Sequence, residues 1–294
     1  MIASFMAAGT YQLPSVVIGD SVDFDPESVL AFEHAGWQQV AGEYDATFAR
    51  ASEPYAAALL DAAGVGAGIR VLDVCCGTGV VTGAAVGRGA VPIGVDFSPA
   101  MLAEARRAHP RLRFDEGDAE ALPYPDHSFD AVMSNFGIHH VPRPDRAIAE
   151  ALRVLRPGGR VAFTTWAQPA DNIAWRLLFD AIRAHGDMQA ANTPPSGGNL
   201  DTPEAVLRLV DAAGFTGCGA QTVRREWLVA EPRDIVAALA RGTVRTAALI
   251  AAQPAHARPA IEAAVTAAAT PYRSGSGFAV PIAAILASGV KPPV

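Results

Sequence analysis

The stretch that most constrains this chain is Val71-Leu72-Asp73-Val74-Cys75-Cys76-Gly77-Thr78-Gly79, an apolar run with one acid that breaks into a turn of small residues. β-branched residues and leucine suit a strand covered on both faces, and two glycines allow tight turning and close backbone approach to a ligand at a following helix N-terminus. The run reads as a buried strand feeding a nucleotide-binding loop. A dinucleotide loop would need glycines spaced G-x-G-x-x-G, and a phosphate loop a trailing Gly-Lys-Ser/Thr. Here Val80, Val81 and Thr82 follow Gly79, so neither pattern is present. Asp73 would repel a diphosphate and suits a ligand carrying an ammonium or hydroxyl groups.

The same unit recurs downstream. Val91 to Val95 reads as a strand ending in Asp96-Phe97, with Asp96 placed 23 residues after Asp73, about where a ribose-binding acid stands in a nucleotide fold. Ser98-Pro99 is an N-cap with a first-turn proline, and Met101, Leu102 and Ala105 form the inward face of the helix that follows. Leu112 to Phe114 reads as a third strand before Asp115-Glu116-Gly117-Asp118-Ala119, and Phe129 to Asn135 as a fourth. Arg153 to Phe163 reads as helix end, turn and fifth strand. Alternating strands and helices imply a parallel sheet with helices on both faces and ligands at the carboxyl ends of the strands.

This ordered set, over roughly residues 69–163, resembles the class I S-adenosylmethionine-dependent methyltransferases, and in layout the ubiquinone and menaquinone branch. The resemblance implies an α/β fold: a doubly wound, mostly parallel seven-stranded Rossmann-like sheet with helices on both faces and an inserted helical lid. It implies S-adenosyl-L-methionine as cofactor, held by Tyr44, Asp73, Cys75, Gly77, Gly79, Asp96, Phe97, Met101, Asp118, Ala119 and Asn135. In the family an acid at the Asp118 position touches the adenine amino group, and an aromatic residue before the first strand closes over the methionine end, a place Tyr44 can fill. Trp37, Tyr44 and Phe48 read equally well as an aromatic stripe packed on the core. Cys75 stands where relatives carry glycine or alanine. The quinone branch has Gly-Ile-Arg-Asn where this chain has Gly137-Ile138-His139-His140, a departure that puts a quinone acceptor in question.

Catalytic candidates follow the fourth strand, in His139 and His140. An imidazole could accept the proton of a phenol, hydroxyl or carbon acid as it attacks. Two adjacent histidines in an extended segment point opposite ways; His139 reads as the one facing an acceptor and His140 as packed or capping. His34, His185 and His256 are lesser candidates.

Around this core, Met1 to Ser21 reads as an arm, and a helix starts at Pro26 with Asp25 as N-cap and Val29, Phe32 and Ala35 on one face. A helix from Glu53 to Ala63 ends at Gly64 and Gly66. Residues 166–200 read as a lid, with a helix over Asn172 to His185 and a Pro/Gly-rich loop after it. A helix through Ala213 follows Thr202-Pro203-Glu204, then a strand over Gln221 to Val229, helices over Arg233 to Ala248 and His256 to Ala268, and a final strand or short helix over Gly277 to Ala287. The whole is read as one domain over 1–294: arm and helices to residue 52, cofactor core 53–165, lid 166–200 and sheet completion 201–294.

The 294 residues are half apolar and carry a net charge of -7, and no basic stripe offers a nucleic-acid surface. Three cysteines make no disulfide framework, and no signal peptide or membrane span is read, so a cytoplasmic protein is expected. No metal site is read. The expected function is methyl transfer to an O, N or C nucleophile of a small, largely apolar metabolite, with a homodimer contact open to the late helices. The alternative is a methyltransferase-fold cyclase, or another non-methylating enzyme, that retains the bound cofactor.

Overall fold

A computed structural model describes residues 24–293; the expected arm, Met1 to Ser21, lies outside them. Five parallel strands make the first part of the sheet: β1 (Arg70–Val74), β2 (Val91–Asp96), β3 (Arg113–Glu116), β4 (Phe129–Asn135) and β5 (Leu155–Trp166). β6 (Thr216–Val229), the two-residue β7 (Arg273–Ser274) and β8 (Gly277–Val290) complete an eight-stranded sheet ordered β3-β2-β1-β4-β5-β8-β6, with β7 beside β8. The last strand of the chain therefore inserts between β5 and β6, antiparallel to both. The chain order reverses between β1 and β4, which opens a crevice at their carboxyl ends.

The helices are α1 (Pro26–Tyr44), α2 (Ala49–Ser52), α3 (Ala56–Ala62), α4 (Val80–Gly87), α5 (Pro99–Ala108), α6 (Pro144–Val154), α7 (Ile173–His185), α8 (Pro203–Ala212), α9 (Arg233–Gly242), α10 (Arg245–Ala251) and α11 (Arg258–Ala268). Strand side chains alternate faces, and both faces are covered. Leu72, Val74 and Val132 pack with Ile148, Val154, Val206 and Val210 of α6 and α8, while Val71, Ala131 and Met133 pack with Leu59, Leu60, Val81 and Ala85 of α3 and α4. A third core joins α7, α9 and α11 through Trp175, Leu178, Ile235, Leu239, Ile261 and Val265, and reaches Phe136 at the end of β4. No helix among the described residues is long and apolar enough to cross a membrane.

Most local signals act as the sequence implies. Asp25 caps α1 by accepting from the Glu27 and Ser28 amides, Ser98 caps α5 by accepting from Met101, and Thr202 caps α8 by accepting from Ala205. β4 spans the expected residues, and Gly64 turns left-handed at φ +67°.

The departures have physical causes. α1 runs without a break to Tyr44, and its inward face carries Val29, Glu33, Val40 and Ala41 rather than Ala35, because the buried acid Glu33 finds two basic partners. The expected helix over Arg233 to Ala248 breaks at Thr243. Gly242 packs there against Phe48, and the Thr243 hydroxyl accepts from the Ala247 amide, as an N-cap would, while donating to the Leu239 carbonyl. Ile138–His140 is a 3₁₀ turn rather than an extended segment, so the two histidine rings lie side by side, with centroids 4.2 Å apart.

Candidate active site

β1 ends in Val74, and Cys75 then adopts a left-handed backbone at φ +57°; Gly77 (+53°) and Gly79 (+83°) continue the turn into α4. Positive φ is free for glycine and strained for cysteine. A Cβ added to Gly77 would meet nothing nearer than the Met101 sulfur at 4.0 Å, so the loop backbone there is open to a ligand. Asp96, at the end of β2, fixes the loop. One carboxylate oxygen accepts from the Gly77 amide at 2.8 Å and the other from the Ser98 amide at 2.9 Å. Asp73 accepts from the Thr82 hydroxyl at 2.6 Å, and the Thr78 hydroxyl donates to Asp45 at the end of α1.

Asp73, Cys75, Gly77, Thr78 and Asp96 line a cleft of about 950 Å³, counted to its open mouth, at the carboxyl ends of β1, β2 and β4. Three carboxylates, Asp73, Asp96 and Asp118, stand in the wall, with no lysine or arginine among the described lining residues. Burial pushes Asp73 up to about 7, assisted by the charge of Asp96 and opposed by the Thr82 hydrogen bond. Burial likewise raises Asp96 to about 6 against the amide protons it accepts. A carboxylate held near neutrality by burial gains most from a cationic ligand. Burial also drives the Cys75 and Cys76 thiols well above their ordinary range, so neither is an activated nucleophile.

The roof of the cleft is α1. Leu30, Trp37 and Tyr44 face into it, and Gln38 anchors the helix by accepting from the Ser98 hydroxyl and the Ala100 amide. The Tyr44 hydroxyl lies 3.2 Å from Ser52 Oγ. No residue of the expected lid, 166–200, stands in the described wall.

Of the sequence-predicted cofactor residues, Tyr44, Asp73, Cys75, Gly77, Asp96, Phe97, Met101, Asp118, Ala119 and Asn135 line this one cleft. Gly79 does not; it stands at the N-cap of α4. Asn135 is held in place, donating to the Ser52 carbonyl and accepting from the Thr164 hydroxyl. The histidines exchange their expected positions. His140 is in the wall, whereas His139 is not. The His139 Nδ1 is buried with no partner among the described residues. Burial, then the charges of His140 and Arg245, holds His139 well below the usual histidine range.

Sequence reasoning missed Trp37 as a wall residue, Phe136 and Glu33. Phe136, at φ +59°, stacks on Trp166 with ring centroids 3.8 Å apart and faces the cleft. Glu33 is wholly buried, 3.0 Å from His140 Nδ1 and 2.6 Å from Arg245 Nε. The spacing of an acid within an otherwise apolar helix face was the available signal for it.

A methyltransferase-domain family profile matches residues 72–163. The demethylmenaquinone methyltransferase of Renibacterium salmoninarum is 38% identical over 153 residues, 51% of this chain and 63% of that protein. The enzyme of the same name from Thermus thermophilus is 37% identical over 163 residues, covering 50% of this chain and 74% of its own length. The chain thus spans a little under two thirds of the Renibacterium relative. Among solved structures, the cyclase SpnF shares the fold at 21% identity and a TM-score of 0.52, covering 91% of this chain and 96% of that one. The strand order, the acid-lined crevice at the switch point and these relatives place the chain in one family: it belongs to the class I S-adenosylmethionine-dependent methyltransferases.

Proposed function

We propose that this protein transfers a methyl group from S-adenosylmethionine to an O, N or C nucleophile of a small, largely apolar metabolite. The observation that carries this reading is the convergence of Asp73, Asp96 and Asp118 on one cleft, with no lysine or arginine among its described lining residues. A ligand bearing an ammonium, a sulfonium and ribose hydroxyls is complementary to such a wall. The open Gly77 backbone fits as well, since a side chain there would fill the space the ligand needs. When bound, S-adenosylmethionine supplies an electrophilic methyl carbon.

The chain's own residues do the rest. Asp96, which holds the Gly77 loop, serves the ribose hydroxyls in this reading, and Asp118 the adenine edge, in a wall they share with Phe97, Met101 and Ala119. Asp73 adds negative charge at the loop entry. Leu30, Trp37, Phe136, Val141 and Pro142 make the remaining wall apolar, which excludes water and suits an uncharged acceptor. Methyl transfer is an in-line displacement, so holding the acceptor at attack distance is the main duty. Where the acceptor carries a proton, that proton moves to Nε2 of His140 as the freed electron pair attacks; Nδ1 is engaged by Glu33.

Incubation with S-adenosylmethionine and candidate acceptors, read by mass spectrometry, tests the reading. A product heavier by one methyl group supports it. A product of unchanged mass would overturn it in favour of cyclisation or another isomerisation, since the fold by itself hosts both chemistries.

A further inference from the structure

Glu33 lies in the middle of α1, the roof helix, and is wholly buried. A buried carboxylate persists only with partners that offset its desolvation. Its partners come from two distant segments. Oε2 is 3.0 Å from His140 Nδ1 in the turn after β4, and Oε1 accepts from Arg245 Nε at the start of α10. Arg245 also donates to the Pro194 carbonyl and stacks over the Phe32 ring, 5.5 Å from its centroid. The His140 ring is held from another side by Trp37, edge-on at 4.9 Å. A Cβ added to Gly36 would come within 2.3 Å of Val244, so α1 and the segment bearing Arg245 are in close contact beside this cluster.

We infer that Glu33 is the positioning residue for His140, fixing the imidazole so that Nδ1 carries the proton and Nε2 is free to accept one in the cleft, with Arg245 balancing the carboxylate's charge. The balance matters. A carboxylate alone beside an imidazole favours imidazolium, which cannot act as a base; a guanidinium on the other carboxylate oxygen reduces that bias while leaving the hydrogen bond. The charged and titratable groups around the ring are then Glu33, Arg245 and His139, and His139 is held neutral by burial. Because Glu33 shares α1 with Leu30, Trp37 and Tyr44, the helix that roofs the cleft also aims its base. The inference rests on the proposed methyl transfer for its purpose, while its geometry is testable without an acceptor.

The test is the histidine tautomer, read by ¹⁵N NMR of the ring nitrogens in wild-type protein and in Glu33→Gln and Glu33→Asp variants, with affinity for S-adenosylhomocysteine measured alongside. The inference expects His140 in the Nδ1-protonated form in the wild type. Glu33→Gln should lose that form, since an amide can donate to Nδ1, and Glu33→Asp should retain part of it. Cofactor affinity should stay within about threefold in each. With an acceptor in hand, Glu33→Gln should lower kcat about 10-fold or more with KM little changed. An Nε2-protonated wild type, or a tautomer unaltered in Glu33→Gln, overturns the inference. Failure of wild-type protein to bind S-adenosylhomocysteine would instead overturn the methyl-transfer reading and leave the tautomer result standing.

Discussion

The Asp96 carboxylate accepts the Gly77 amide proton at 2.8 Å, tying the acid at the end of β2 to the turn that follows β1. One side chain therefore sets the loop and stands in the wall of the cleft, so loop geometry and the charge facing the cleft are coupled through a carboxyl group whose pKa burial pushes up to about 6.

That coupling gives a pH dependence of defined sign. Asp73 and Asp96 titrate near 7 and 6 in the folded protein, against about 3.9 for an unperturbed aspartate. Between roughly pH 4 and 7 the ligand-free fold holds protons that the unfolded chain has released. Their stabilising contribution is full below about pH 4 and is lost as pH rises through 6 to 7. The ligand-free melting temperature should fall over that window more steeply in wild type than in Asp73→Asn. Affinity for S-adenosylhomocysteine should rise over the same window with release of protons, visible as heats that differ between buffers. A pH-independent affinity would contradict the assignment.

A second expectation concerns Gly137 and Cys75. A Cβ at Gly137 would lie 2.3 Å from Cys75 Cβ and 2.8 Å from Ser134 Oγ. Gly137→Ala should destabilise the protein by about 1–3 kcal/mol through overpacking. Cys75→Gly removes the obstacle and the strained φ of +57° together, so the double substitution should recover much of the loss. Urea unfolding of the four proteins measures the coupling, expected at about 0.5–3 kcal/mol; strictly additive effects would refute the contact.

The two histidines should separate cleanly. His140→Ala should slow turnover of a proton-bearing acceptor about 100-fold or more while leaving cofactor affinity nearly intact, because His140 stands in the wall at the β4 end. His139→Ala should act on the melting temperature first, since its ring lies outside the wall with a buried nitrogen. The reverse pattern in steady-state kinetics would restore the roles that an extended segment implies.

The cofactor half was legible in the sequence because its signals are local. The strand-acid-cap unit at Val91 to Ser98 and the run Phe129 to Asn135 need only short-range chemistry, namely β-branched runs, an N-cap and a first-turn proline. What the sequence hid depends on contacts far along the chain. Glu33 meets His140 across 107 residues and Arg245 across 212, and no period or motif links them. The placement of the two histidine rings differs from that of an extended segment for a local reason, the 3₁₀ turn over Ile138–His140. Residues 166–200 read as a lid from composition, yet α7 is absorbed into the core with α9 and α11, and α1 forms the roof.

Isothermal titration of S-adenosylmethionine into the wild-type protein and into Asp96→Ala decides whether the acid-lined cleft is the cofactor site. One site per chain is expected in the wild type, and an affinity about 5- to 150-fold weaker in the variant, the equivalent of about 1–3 kcal/mol of lost hydrogen bonding. Absence of binding to the wild type, or equal affinity in the two proteins, would contradict that assignment.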